Sequence, residues 1–290
     1  MDSFFEAVLQ YKFLQNALVG GLIVSAVCSL FSPFVVLKRM AFIGQGISHA
    51  AFGGIAIALF LVAEPAEHEF SLMAITAIYS VAVAILIGYA SRTRRVSEDA
   101  AIGIFLAASM ALGILLLSVR RSYTAEIISY LFGSILAISR ADLWIMAILG
   151  VVALTFVLGF YKELVFFTFD ESLARASGIP TGFLHYLLMV LLAVLIVIAV
   201  KLVGIILVTA FLIIPGATVQ LFARKFVHLS VGALVVGVVT SFAGLYLSFK
   251  FDLPSGAAIV MVQFALFVAA LVISRLRART RGKGLLGERA

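Results

Sequence analysis

Cysteine is nearly absent from this 290-residue chain. The single Cys28 stands inside an apolar run, which excludes an internal disulfide and a thiolate metal cluster. Charge is scarce as well: 12% of residues are Asp, Glu, Lys or Arg, against roughly 25% in a soluble globular domain. The apolar runs lack the buried Asp, Glu or Lys chain that a proton-coupled transporter threads through its spans. Three enzyme signatures are missing too. Without the phosphate loop G-x-x-x-x-G-K-S/T the chain does not hydrolyse ATP in that way. Without an H-E-x-x-H zinc pair or a G-x-S-x-G elbow, no hydrolase of those two kinds is indicated. Met1–Phe13 carries Asp2 and Glu6 but no basic cluster, which argues against a cleaved signal peptide.

What is there is hydrocarbon. The chain is 64% hydrophobic with a mean hydropathy of +1.22, and it contains many apolar runs near the ~20 residues that cross a bilayer as helix. These features predict an all-α, polytopic transmembrane bundle. Nine spans are expected: Phe13–Leu37, Ala41–Ala63, Ser71–Ala90, Ala100–Ser118, Leu143–Phe160, Phe183–Val200, Leu202–Phe222, Leu229–Leu247 and Gly256–Ser274, with eight as the alternative count. Residues 1–274 then form one membrane domain and residues 275–290 a basic tail. Glu126–Ile138 is too short to span and is expected to lie at the surface or to be re-entrant.

The net charge of +7 is best explained by Lys and Arg gathered on the cytoplasmic side rather than by a nucleic-acid partner. With the tail inside and nine spans, the N-terminus is outside. Fifteen of the 21 Lys and Arg residues then face the cytoplasm, although Arg120 and Arg121 fall on the outer side. The acidic stretch Glu64–Glu69 is an external loop, either a solvated turn or part of a rim that collects cations or docks a partner. Leu18–Ala26 and Leu202–Ala210 share a weak similarity that hints at an internal repeat.

Few polar groups fall deep in the spans, so each is informative. With a helix starting near Ala41, His49 is about 12 Å along it at ~1.5 Å per residue, close to the midplane. Gln45 is one turn earlier on the same face. An imidazole nitrogen and an amide oxygen can both ligate a metal. A buried histidine bonded to a neighbouring helix fits the same residues. Gly46, Ala50 and Gly54, at four-residue intervals, predict a close helix–helix approach. Ile213-Ile-Pro215-Gly-Ala interrupts a span and predicts a kink or hinge at Pro215. Between two spans, Asp170 and Glu171 open a short amphipathic helix with Leu173, Ala174 and Ala176 as apolar positions, and Gly178 and Pro180 end it. Such a helix suits a soluble partner that pushes on the membrane part; a plain connecting turn is the alternative.

The stretch Val35-Val-Leu-Lys-Arg-Met-Ala-Phe-Ile-Gly-Gln-Gly-Ile-Ser-His-Ala-Ala-Phe-Gly53 resembles the signature of the permeases of zinc, manganese and iron ABC importers. Ile128–Ser139, Asp170–Pro180, Val203–Thr218 and the turn Asp252–Gly256 agree with that family in the same order. The resemblance implies a subunit of an importer in the bacterial inner membrane that works as a homodimer. It also implies a separate ATPase, which alone handles ATP, and an extracytoplasmic metal-binding protein. The transported divalent metal is then cargo, and no cofactor is expected in this chain. Asp170, Glu171, Leu173, Arg175 and Gly178 would belong to the coupling helix that seats on the ATPase, and Glu126–Ile138 to an outer gating helix. Many members carry an aspartate where this chain has Gln45, and that carboxylate with the histidine contributes to a metal site. Loss of a hard anionic oxygen weakens manganese more than zinc, so this sequence favours zinc, with manganese or iron as alternatives. The rival reading is a self-contained secondary transporter or cation channel, which would need coupling-ion ligands that the spans lack.

Overall fold

The computed structural model describes residues 4–62, 69–92, 96–120 and 138–287. All regular structure among them is helical: α1 (Phe4–Gln10), α2 (Lys12–Leu37), α3 (Ile43–Leu61), α4 (Glu69–Arg92), α5 (Glu98–Arg120), α6 (Arg140–Gly159), α7 (Tyr161–Phe169), α8 (Glu171–Ala176), α9 (Thr181–Val203), α10 (Ile205–Gln220), α11 (Phe226–Phe251) and α12 (Ser255–Gly287). The acidic residues 64–68, and the surface or re-entrant piece expected over Glu126–Ile138 apart from Ile138 itself, lie outside the described residues.

Among the described residues eight helices are long and apolar enough to cross a membrane: α2, α3, α4, α5, α6, α9, α11 and α12. Their outward faces are apolar rather than charged. On α6, Trp144, Ile148, Val151, Val152 and Leu158 are all exposed, as a surface solvated by lipid requires. The ninth expected span is different. Leu202 and Val203 finish α9, Gly204 breaks the chain with φ at 84°, and α10 follows with only 16 residues. At ~1.5 Å per residue α10 is about 24 Å long, short of a full hydrocarbon core. Glycine carries the break because it enters positive φ without a Cβ clash. The same break removes the suspected repeat: Leu18-Val-Gly lies within the unbroken α2, whereas Leu202-Val-Gly ends a helix.

Helices α3, α4, α5 and α9 pack together on one side, and α2, α10, α11 and α12 on the other. Helix α2 touches α9 across the join, and α6 leans on both. The glycines of α3 set its close approach as the small-residue spacing predicted. A Cβ at Gly46 would stand 2.5 Å from the Ile102 side chain of α5, and one at Gly54 would stand 3.0 Å from the Thr76 backbone of α4. Ala50 between them is fully buried. Close backbone contact matters here because lipid supplies no hydrophobic drive for helices to associate.

The bundle has two rims. At one, Lys38 after α2, Arg92 at the end of α4, Glu98 at the start of α5 and Glu171 of α8 converge. At the other, Asp142 in the first turn of α6 meets Lys201 in the last turn of α9 at 2.8 Å. Ser139 caps α6 there and also bonds the same carboxylate at 2.7 Å.

Candidate functional site

Helix α3 owes its start to a tight turn. Arg39 sits at φ 60° and the Met40 amide donates to Val35 O at 2.9 Å, which folds the chain back after α2. The helix begins at Ile43, two residues later than expected, so His49 lies about 9 Å along it rather than 12 Å. Gly44 faces Leu212 and Thr209 of α10, and Gly46 faces Ile102 of α5. At roughly 100° per residue, Gln45 stands between these two contacts and His49 one turn further along the same face. Gln45 is exposed and His49 half-buried. The Nδ1 of His49 is shielded from solvent and has no hydrogen-bond partner among the described residues. A neighbouring-helix acceptor, which the buried-histidine alternative needs, is therefore missing at that atom. Among the described residues no cluster of three His, Cys, Asp or Glu side chains surrounds this pair.

An amide exposed on a membrane-crossing helix is costly against lipid, because hydrocarbon satisfies none of its hydrogen bonds. The Gln45–His49 face therefore belongs against water or another protein surface. That property, and two Lewis bases one turn apart, are what the geometry offers a passing cation.

The second expected feature is α8. Asp170 caps it, accepting from the Leu173 amide at 2.9 Å and from the Ser172 hydroxyl at 2.7 Å. The bond from the Leu173 amide is the main reason that this carboxyl is held below the ordinary aspartate range. Gly178, at φ 85°, ends the helix in the left-handed conformation that closes many helices. Ala174 is buried while Leu173 is 54% exposed, so the helix offers an apolar side chain away from the bundle. Arg175 is exposed too, and reaches Glu171 at 3.2 Å and Thr181 at 3.3 Å.

Glu171 does not share that outward face. It turns to the bundle and meets Lys38 at 3.4 Å and Arg92 at 3.8 Å. Lys38 also donates to Phe167 O at 3.4 Å and lies over the Phe167 ring. Burial holds the Lys38 ammonium below the ordinary lysine range, opposed by the Glu171 charge. Beside these groups opens a cavity of about 910 Å³, lined also by Glu98 and by the buried His185 of α9. In the sequence Lys38 and Arg92 count only toward the basic charge on one side of the membrane, and neither Glu98 nor His185 carries an expectation. His185 was findable as an ionisable residue just inside an apolar run.

Pro215 is buried within α10, and the gap it makes is filled from another helix. The Gly216 amide donates to Ser32 Oγ of α2 at 2.8 Å, and that hydroxyl lies 3.4 Å from Ile213 O. Ser32 is fully buried and is followed by Pro33, so both helices carry a proline at their crossing.

The model of the ABC 3 transport family matches residues 10–274. The chain belongs to that family. It is 41% identical over 271 residues to the manganese transport system membrane protein MntC of Halalkalibacterium halodurans, covering 93% of this chain and 90% of the relative. It is 34% identical to the manganese import system permease protein ScaB of Streptococcus gordonii, covering 94% and 96% of the two chains. It is 36% identical to a probable iron transport system membrane protein of Haemophilus influenzae, covering 93% and 97%. Among solved structures it resembles a chain of PsaBC from Streptococcus pneumoniae in complex with Fab, with a TM-score of 0.79, 33% identity and coverage of 92% and 94%. As a member of this family the chain is a multi-pass membrane protein and a permease of a metal ABC importer.

Proposed function

We propose that the chain forms the path by which manganese crosses the inner membrane, driven by a separate ATPase. The observation that carries this reading is the polar Gln45–His49 face on the apolar helix α3. The described residues of one chain leave Gln45 exposed on that face, which favours a second copy across from it, with two Gln45–His49 pairs lining a shared passage. Leu173, exposed on α8, suits a hydrophobic seat on the ATPase, with Asp170 and Gly178 fixing the helix ends and Arg175 at the edge. The absence of a Walker motif agrees with an engine supplied by that partner. In this reading α10, although short, returns the chain from the Lys201 rim toward the Lys38 rim, where Gly216 meets Ser32 near the end of α2. The Lys38 rim is then cytoplasmic, the Lys201 rim receives metal from an extracytoplasmic binding protein, and the N-terminus is outside. Pro215 allows α10 to flex as the passage changes access.

Manganese is preferred over the zinc favoured by residue chemistry because the relatives named for a metal are mostly named for manganese. Zinc is the second reading, favoured by one specific feature: neutral amide and imidazole donors suit it better than a cation that prefers carboxylate. Competition uptake of the two metals by the complete transporter in proteoliposomes decides between them. Faster ATP-driven zinc uptake at equal free metal overturns the manganese assignment.

A further inference from the structure

On α8, the residues expected to face the ATPase divide by direction. Leu173 and Arg175 point away from the bundle, whereas Glu171 points into it. A solvated ion pair at a protein surface contributes little; the Glu171 side chain is 35% exposed, but its partner Lys38 is largely shielded from water. Three cations from three places converge on its carboxylate: Lys38 at 3.4 Å, Arg175 at 3.2 Å and Arg92 at 3.8 Å. The Lys38 side chain is only 12% exposed and is held from the far side by the carbonyl and the ring of Phe167. Lys38 is the C-cap of α2 and stands in the short turn that leads into α3. Arg92 is the last residue of α4, which packs along α3. One carboxylate on α8 thus reaches, at one rim, the turn that leads into α3 and the last residue of α4, the two ends of the α3–α4 pair that carries Gln45 and His49.

We infer that Glu171 is a positioning residue that bolts α8 to the α2–α3 turn and to α4, so that movement of α8 is delivered to the Gln45–His49 face. The inference rests on the reading of α8 as the segment that seats on the ATPase. It assigns Glu171 a role turned away from that partner. Coupling between sites is carried by packed side chains, ion-pair networks and rigid elements, and this ion pair is what ties α8 to the other two elements at that rim. Leu173 holds the ATPase, and Glu171 passes the movement on.

The test uses the complete transporter, this chain with its ATPase, in proteoliposomes, and reads metal taken up per ATP hydrolysed. Glu171→Gln keeps the ATPase bound and hydrolysing, but uptake per ATP falls at least about fivefold, the lower end of ordinary coupling effects. Lys38→Gln, which reaches the same contact from the other helix and serves if Glu171→Gln fails to fold, gives the same loss. The double variant loses no more than Glu171→Gln alone, since the two act as one contact. Glu171→Asp, which keeps the charge, recovers part of the ratio. A wild-type ratio in Glu171→Gln or in Lys38→Gln overturns the proposal. So does loss of the ATPase from the purified Glu171→Gln complex, which would make Glu171 a partner contact. The reading of α8 fails separately, through Leu173→Ala: full retention of the ATPase and unchanged uptake in that variant remove α8 from the interface.

Discussion

Gln45 and His49 show how much a single position decides in a chain this apolar. The rest of α3 is glycine, alanine, aliphatic or phenylalanine apart from Ser48, which bonds back to Gly44 O at 2.6 Å, so these two side chains set the chemistry that the helix offers. An amide oxygen is a weaker ligand for a hard cation than a carboxylate. Gln45→Asp should therefore raise manganese uptake relative to zinc in competition assays with the complete transporter, and an unchanged ratio would place Gln45 outside the path. That the pair shares a face was legible in its four-residue spacing. Its exposure was not, since exposure depends on Gly44 and Gly46 fixing the rotation of α3 against α10 and α5.

Among the elements, α10 departs furthest from its sequence reading. The sequence put the break at the charged Lys201, between spans ending at Val200 and starting at Leu202; the helix runs three residues further, and the positive φ of Gly204 places the break there. Pro215 was legible in the sequence, but α10 runs on through it to Gln220, and the hydroxyl that meets the Gly216 amide comes from Ser32, 184 positions away. Ser32→Ala removes the acceptor that α2 offers the buried Gly216 amide, a cost of up to about 3 kcal/mol. Hydrogen exchange at Gly216 should accelerate accordingly. On a Pro215→Ala background the effect should shrink, because without the proline ring α10 can close its own ladder. Equal acceleration in both backgrounds would separate Ser32 from the proline. The α8 lever follows the same pattern: its cap Asp170 and stop Gly178 could be read locally, whereas the Lys38–Glu171 contact joins residues 133 positions apart. Leu173→Ala tests the outward half of that lever and should release the ATPase on purification or lower uptake.

At the scale of the whole molecule, length and hydropathy carried most of the fold. A bilayer sets a minimum length for each full crossing, so eight of the nine apolar runs become helices long enough to span, and the Leu202–Phe222 run alone falls short as α10. The pairing of helices was not legible, since apolar surfaces of similar composition say nothing about which neighbour they meet. The sidedness assigned here places residue 66 outside and residue 95 in the cytoplasm. Reporter fusions after Ala66 and after Arg95 should report those compartments in that order, and the reverse pattern would invert the map.

The measurement that bears most directly on the proposed path is ATP-driven metal uptake by proteoliposomes holding the complete transporter with His49→Ala. Uptake should fall to the level of liposomes without protein, while the variant still inserts and still co-purifies with its ATPase. Uptake at the wild-type rate would reduce His49 to a packing residue and contradict a metal path along α3.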